Sequence, residues 1–182
     1  MSRRRGHTFL AAAVCVALAA GAAACGEEET SHVVEGEPIE LGDLRINVQL
    51  TRFLNPSDRE DSEYLVGEQV PPPAGREYLA VFMSIENESS EPSELPSAEG
   101  FKVLDSTGEE FEPVEIESVF ALPLGEEVPG HGSIPLPDTA ARSGPIQGSI
   151  VLFGVSEEIS ENRPLELEID ASGEQGTVVL DI

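Results

Sequence analysis

Tryptophan is absent, tyrosine occurs only at Tyr64 and Tyr78, and Lys102 is the sole lysine in 182 residues. So few flat aromatic faces leave little material for the platforms on which sugar rings stack. Ten basic residues stand against 35 acidic ones, and three of the ten are Arg3, Arg4 and Arg5. Beyond them there is no basic footprint for nucleic acid and no polybasic cluster for anionic lipid, so nucleic acid is excluded as a partner. Abundant acid with almost no lysine is also a composition of salt-adapted proteins, where concentrated salt screens self-repulsion. Both cysteines, Cys15 and Cys25, fall in the first 25 residues. The remaining chain has no pair for an internal disulfide, so its core must hold the fold alone.

The first residues contain an export pattern. Arg3 to Arg5 form a positive start, Phe9 to Ala20 an apolar run, and Ala22-Ala23-Ala24 the small side chains a signal peptidase accepts. Residues 9–24 fall short of the roughly 20 needed to span a bilayer core. Phe9 lies too far behind the arginines for the twin-arginine pattern, which favours ordinary secretion. Ala22-Ala23-Ala24-Cys25 resembles the cleavage box of bacterial lipoprotein signals, with Ala22 where leucine is commonest. That resemblance implies cleavage after Ala24 and a diacylglycerol on Cys25, making the membrane a partner through the amino-terminal lipid. The alternative is an ordinary Ala-x-Ala site that happens to precede a cysteine, but a free exposed thiol beside acids would be an oxidation liability. Losing residues 1–24 removes three basic and no acidic residues, so the net charge moves from −25 to −28. Residues 25–37 read as a lipid-anchored acidic linker, and residues 38–182 as one domain, long enough to bury about 70% of its unfolded surface.

Within that domain the hydrophobic period is two almost throughout. Leu44, Ile46, Val48 and Leu50 alternate with polar residues, a half-buried strand. In REYLAVFMSIENES, Leu79, Val81, Met83 and Ile85 occupy one face and Tyr78, Ala80 and Phe82 the other, which predicts a central strand. Asp105-Ser106-Thr107-Gly108 is a hairpin turn, with Phe111 starting the return strand. Further strands are expected at IESVFAL, IQGSIVLFGV, PLELEID and TVVLDI, with a turn at Ser172-Gly173. No window carries a helical period. The expectation is an all-β, immunoglobulin-like antiparallel sandwich of about seven to nine strands. Residues 54–75 and 122–145 are long irregular connections, where a rigid scaffold usually carries its binding surface.

Two blocks carry a resemblance. Ile85-Glu86-Asn87-Glu88-Ser89 ends an apolar strand in an asparagine with small polar neighbours. It is followed by Phe101-Lys102-Val103-Leu104-Asp105-Ser106-Thr107-Gly108 and then Phe111. Gly144, and Gly148-Ser149-Ile150-Val151-Leu152-Phe153, supply a glycine-led strand ending in phenylalanine. In these blocks the chain resembles bacterial exported domains of unknown function with a telokin-like, immunoglobulin-like fold. The resemblance implies the sandwich and export; it transfers no catalytic residue.

The candidate sites are few. Tyr64, Leu65 and Val66, in the first long connection, are the expected apolar contact for an unidentified envelope protein, unless they fold back over an edge of the sandwich. Asp58, Glu60 and Asp61, with Asn55 and Glu63, crowd oxygen ligands as a weak cation site would, although the calcium-loop spacing is missing. His32 and His131 are isolated, which gives no three- or four-ligand metal set. Ser133 beside His131 lacks a nucleophile elbow. No cofactor, catalytic or metal residue is assigned. These features lead to a surface or periplasmic lipoprotein with a non-catalytic recognition or scaffolding domain. Capture of a small solute or cation is the alternative, though a single domain lacks the two-lobed hinge such capture employs. An envelope hydrolase comes last.

Overall fold

The computed structural model of the protein describes residues 31–67 and 72–182. The leader of residues 1–24, the Ala24 cleavage position and the Cys25 lipidation position lie outside the described residues. The chain enters with β1 (Ser31–Val34), followed by β2 (Pro38–Leu41) and β3 (Leu44–Leu54). A short helix, α1 (Arg59–Tyr64), precedes the long β4 (Arg76–Asn87). Six brief strands follow: β5 (Ser93–Glu94), β6 (Phe101–Leu104), β7 (Glu110–Phe111), β8 (Pro113–Val114), β9 (Glu127–Val128) and β10 (Ser133–Ile134). The turn α2 (Ala140–Ser143), β11 (Ser149–Ser156), β12 (Leu165–Ala171) and β13 (Glu174–Leu180) complete it.

One sheet runs β1-β13-β12-β6-β7 and the other β2-β3-β4-β11-β8, with β10 also pairing with β4 and β5 with β9. The fold is the expected all-β sandwich. Five strands of seven to twelve residues form its body. The two-residue strands arise where long connections touch a neighbour briefly, which carries the described strands beyond the expected seven to nine.

Alternation places the core. Leu44, Ile46 and Val48 are buried, as are Leu165, Leu167 and Ile169, and they meet Leu79, Val81, Met83 and Ile85 of β4 between the sheets. A bulge between Val48 and Leu50 shifts the phase of β3. An extra residue exchanges the two faces of a strand. Leu50 therefore turns outward, away from the expected inner face, and joins Leu54, Tyr78, Ala80, Phe82, Ile150 and Leu152 in a second cluster behind the sheet. β4 is the central strand its two apolar faces predict.

Covering that second cluster decides the fate of the first long connection. Tyr64 and Leu65 are each 2% exposed. The Tyr64 ring meets Phe82 and Phe120 edge-on, with centroids 5.3 and 4.8 Å apart. Burial, followed by the Glu60 carboxylate, pushes its phenol above the ordinary range. Tyr64 and Leu65 are thus core rather than a partner contact, and only Val66 stays exposed. Segment IESVFAL is not a strand either. Ile116 and Phe120 pack on the same cluster, while the Glu117 amide donates to the Val66 carbonyl at 2.8 Å and the Ser118 hydroxyl to the Glu63 carbonyl at 2.9 Å.

The linker expected over residues 25–37 gives way at Ser31. β1 pairs parallel to β13, from Ser31 opposite Gly176 to Val34 opposite Val179. The Glu35 carboxylate then accepts from the Thr51 and Asp181 amides at 3.1 and 3.2 Å, bridging β3 to the carboxyl-terminal strand. The sandwich therefore includes residues 31–34, ahead of the expected start at residue 38. A local reading sees only acid there, because the partner strand lies at the far end of the chain.

Two polar residues fix the loops. Asn87, 2% exposed, donates through Nδ2 to the carbonyls of Glu91, Val128 and Pro129 at 2.8, 3.0 and 3.3 Å. Its Oδ1 accepts from the Ser89 amide at 2.9 Å. Gly130 sits so close to this loop that a Cβ would lie 2.1 Å from the Ser90 carbonyl oxygen. Asp105 Oδ1 accepts from the Thr107 hydroxyl and from the Thr107 and Glu109 amides, and Oδ2 from Asn162. The Thr107 hydroxyl bond leads in holding the Asp105 carboxyl below its ordinary range; burial opposes it and is outweighed.

Replacing Asn87 by alanine orphans buried carbonyls and is expected to cost at least about 2 kcal/mol in urea unfolding. Tyr64→Ala should cost about 3–5 kcal/mol, whereas Val66→Ala should change stability by less than about 0.5 kcal/mol. Equal, small losses at both positions would place Tyr64 outside the core. A depressed folded pKa gives stability that is present above the unfolded value of about 3.9 and lost as pH falls through the folded one. The stability gap between wild type and Asp105→Asn should therefore shrink from about pH 6 to about pH 3; a constant gap would contradict the bonded carboxylate.

Candidate functional site

β11 has β4 along one side. On its other side it meets two separate pieces of chain. Leu152 pairs with Val114 of β8, and Ile150 bonds the Phe120 and Leu122 backbone at 2.8 and 2.9 Å. Between those pieces, residues 115–119 leave the sheet to cover the outer cluster. Their departure opens a cleft of about 400 Å³ at the edge of the sandwich. Its floor is Ile150, Val151 and Leu152; Val114 and Ile116 form one wall and Leu122 and Leu124 another. Ser97 and Ala98, at the start of a 3-10 turn spanning Ala98–Gly100, complete the rim. The lining has no aromatic ring and no cation. Its polar side chains are the Ser97 hydroxyl and the Glu115 carboxylate. Volumes of roughly 300–1,000 Å³ with few polar groups characterise small-molecule sites.

Ala121 also lines a shallower hollow of about 140 Å³ with Pro123, Ile134 and Leu136. Val119 is 79% and Leu136 53% exposed beside it. The apolar surface thus continues from the cleft, over Ala121, onto a shelf. The second long connection, 122–145, contributes Leu122, Leu124, Ile134 and Leu136 to these surfaces.

A polar trough lies elsewhere on the second sheet. Two hollows of about 150 and 190 Å³ share Ser84 and Glu86; Arg45 and Asn47 line one, Gln49 and Arg142 the other. Arg45 stands in register between Glu40 and Glu86, so its charge is offset by its neighbours.

The acidic candidates are engaged in folding their own loop. Asp58 caps α1, its Oδ1 accepting from the Glu60 and Asp61 amides at 2.8 and 3.3 Å. Asp61 is buried, faces the Arg52 guanidinium and accepts from the Asn55 amide at 2.8 Å. With Asp58 capping and Asp61 paired, the expected cation cluster of Asp58, Glu60 and Asp61 is replaced by a capped, ion-paired turn. His131 occupies a left-handed turn with φ 56°, its amide bonded to Ser89, while Ser133 is on β10 opposite Glu86. His32 is exposed on the edge strand β1. None of Tyr64, Leu65, Val66 or the acidic candidates lines the cleft, whereas Leu122 and Leu124 do and belong to the second long connection, one of the two expected to carry a binding surface.

No protein-family profile and no curated protein matches the chain. Among solved structures it is similar to an uncharacterised β-sandwich protein of Clostridium difficile 630, at 14% identity and TM-score 0.52, covering 85% of this chain and 97% of that one. It is also similar to MPT63, a secreted protein of Mycobacterium tuberculosis, at 10% identity and TM-score 0.50, covering 84% of this chain and 98% of that one. A third likeness is to a Bacillus subtilis protein provisionally described as a lipoprotein, ycdA. The identity is 11% and the TM-score 0.51, and the match covers 81% of this chain but 38% of that one. At these identities the shared property is the β-sandwich.

Proposed function

We propose that the protein is an exported, lipid-anchored β-sandwich of immunoglobulin-like type that works by binding, and that the aliphatic cleft at the edge of β11 is where it binds. The observation that carries this reading is the cleft itself: about 400 Å³, floored by strand residues and walled by side chains that offer contact area rather than reactive groups. Acyl or phosphoryl transfer needs a nucleophile, a base and an orienting group within mutual reach; here the lining presents one carboxylate and one hydroxyl. Export and anchoring rest on the signal pattern ending at Ala24 and on Cys25, with support from the secreted and lipoprotein-like neighbours sharing the fold.

The energetics set what the cleft can hold. Each methylene removed from water contributes about 0.8 kcal/mol, and association costs some 4 kcal/mol or more. A ligand must therefore bury more than about five methylenes to bind at all.

Two experiments test the reading. Palmitate feeding should label the chain cleaved after Ala24 and leave it in the membrane fraction, whereas Cys25→Ala should be unlabelled and released. A labelled Cys25→Ala protein, or unlabelled wild type, would overturn the anchor. Decanol should raise the melting temperature of the wild-type domain and leave Ala121→Phe, in which the cleft is filled, unmoved. An equal response from both proteins would remove the cleft as the binding site.

A further inference from the structure

The walls of the cleft also constrain the chemistry of its occupant. At about 30 Å³ per heavy-atom group, the share of a water in the liquid, a cleft of about 400 Å³ holds on the order of a dozen such groups. The apolar side chains of the lining are all aliphatic, among them Pro113, Val114, Ile116, Leu122 and Leu124. Flexible alkyl surface fits these walls, and no ring stands there to stack on a planar ligand. The mouth is not neutral. Glu115 is exposed in the lining, which also includes Ser97, whose hydroxyl donates to Glu99 Oε2 at 2.9 Å. No cation lines the cleft to offset Glu115. Arg76, on the first residue of β4, is committed elsewhere: its guanidinium lies 5.8 Å from the Phe111 ring centroid and donates to the Gly154 carbonyl at 3.2 Å.

We infer that the cleft takes a single aliphatic chain bearing a cationic or hydroxyl head, and discriminates against the same chain bearing a carboxylate. The inference rests on the cleft being the binding site and adds the class of ligand. The chain lies along Ile150–Leu152 and the head stays at the mouth, where Glu115 attracts an ammonium and repels an anion, and the Ser97 oxygen, its proton donated to Glu99, can accept from a hydroxyl. The repulsion from a domain this acidic acts on any anion at any place, so the local contribution of Glu115 must be separated from the general field.

The test is a titration of the wild-type domain, followed by amide shifts in NMR, with decyltrimethylammonium, decanol and decanoate, each below its micelle-forming concentration. The same series is run on Glu115→Gln and on the filled variants Ala121→Phe and Ala98→Leu. The expected order is ammonium and alcohol ahead of carboxylate, with the shifts centred on β11. Loss of one rim charge should narrow the ammonium-to-carboxylate ratio by about fivefold, the scale of an exposed ion pair. The general field, screened over about 3 Å at 1 M salt, should vanish there first and leave the Glu115 difference as the remainder. Decanoate binding as tightly as the ammonium, or a ratio unmoved by Glu115→Gln, would overturn the ligand class while leaving the cleft as the site. Failure of all three probes to shift β11 in the wild type, or equal shifts in both filled variants, would overturn the site and the inference together. Two filled variants guard against one of them misfolding.

Discussion

Both faces of β4 are apolar, and most of the molecule follows from that. Leu79, Val81, Met83 and Ile85 demand one sheet in front, and Tyr78, Ala80 and Phe82 demand cover behind. The front is supplied by β12, β13 and β6 in the ordinary manner of a sandwich. The back cannot be, because the one further sheet among the described residues is the small β5–β9 pair, whose Val128 packs in the front cluster. The cover is improvised instead from α1 and from residues 115–120, with Tyr64 as the plug between Phe82 and Phe120. Taking 115–119 off the edge of β11 for this purpose leaves the space that becomes the cleft. A packing requirement and a candidate site thus share one cause.

With no disulfide available beyond Cys25, polar side chains tie the ends and loops in its place, two of them, Asn87 and Asp105, buried. Glu35 joins the entering strand to β3 and to Asp181. Asn87 gathers three carbonyls from two loops, and Asp105 gathers a turn and Asn162. Asn87 and Asp105 are short, buried side chains that each satisfy several groups at once, the arrangement in which a single lost partner is most costly. Asn87 and Asp105 are also the polar positions of the resemblance, so what those motifs encode is loop geometry.

Much of the fold was legible because it is local. The alternation in 44–48 and 165–169, the two-faced run of β4, and the turns at Asp105–Gly108 and Ser172-Gly173 are all readable within ten residues. What escaped depends on distant partners. β1 looks like acidic linker until β13 is placed beside it. Tyr64 and Leu65 look exposed until Phe82 and Phe120 meet them, and IESVFAL looks like a strand until the outer cluster claims it. Asp58 and Asp61 look like ligands because a capping carboxylate and a metal-binding one share the same chemistry. The cleft was least legible of all, since 97–98, 113–116, 121–124 and 150–152 converge only in three dimensions.

The account stands or falls on whether that convergence holds a ligand in the cell. Native mass spectrometry of the protein recovered from its own cells, beside Ala121→Phe recovered identically, measures this directly. The account predicts an uncharged or cationic aliphatic adduct on the wild type and a bare variant. Bare wild type, or the same adduct on both proteins, would contradict it.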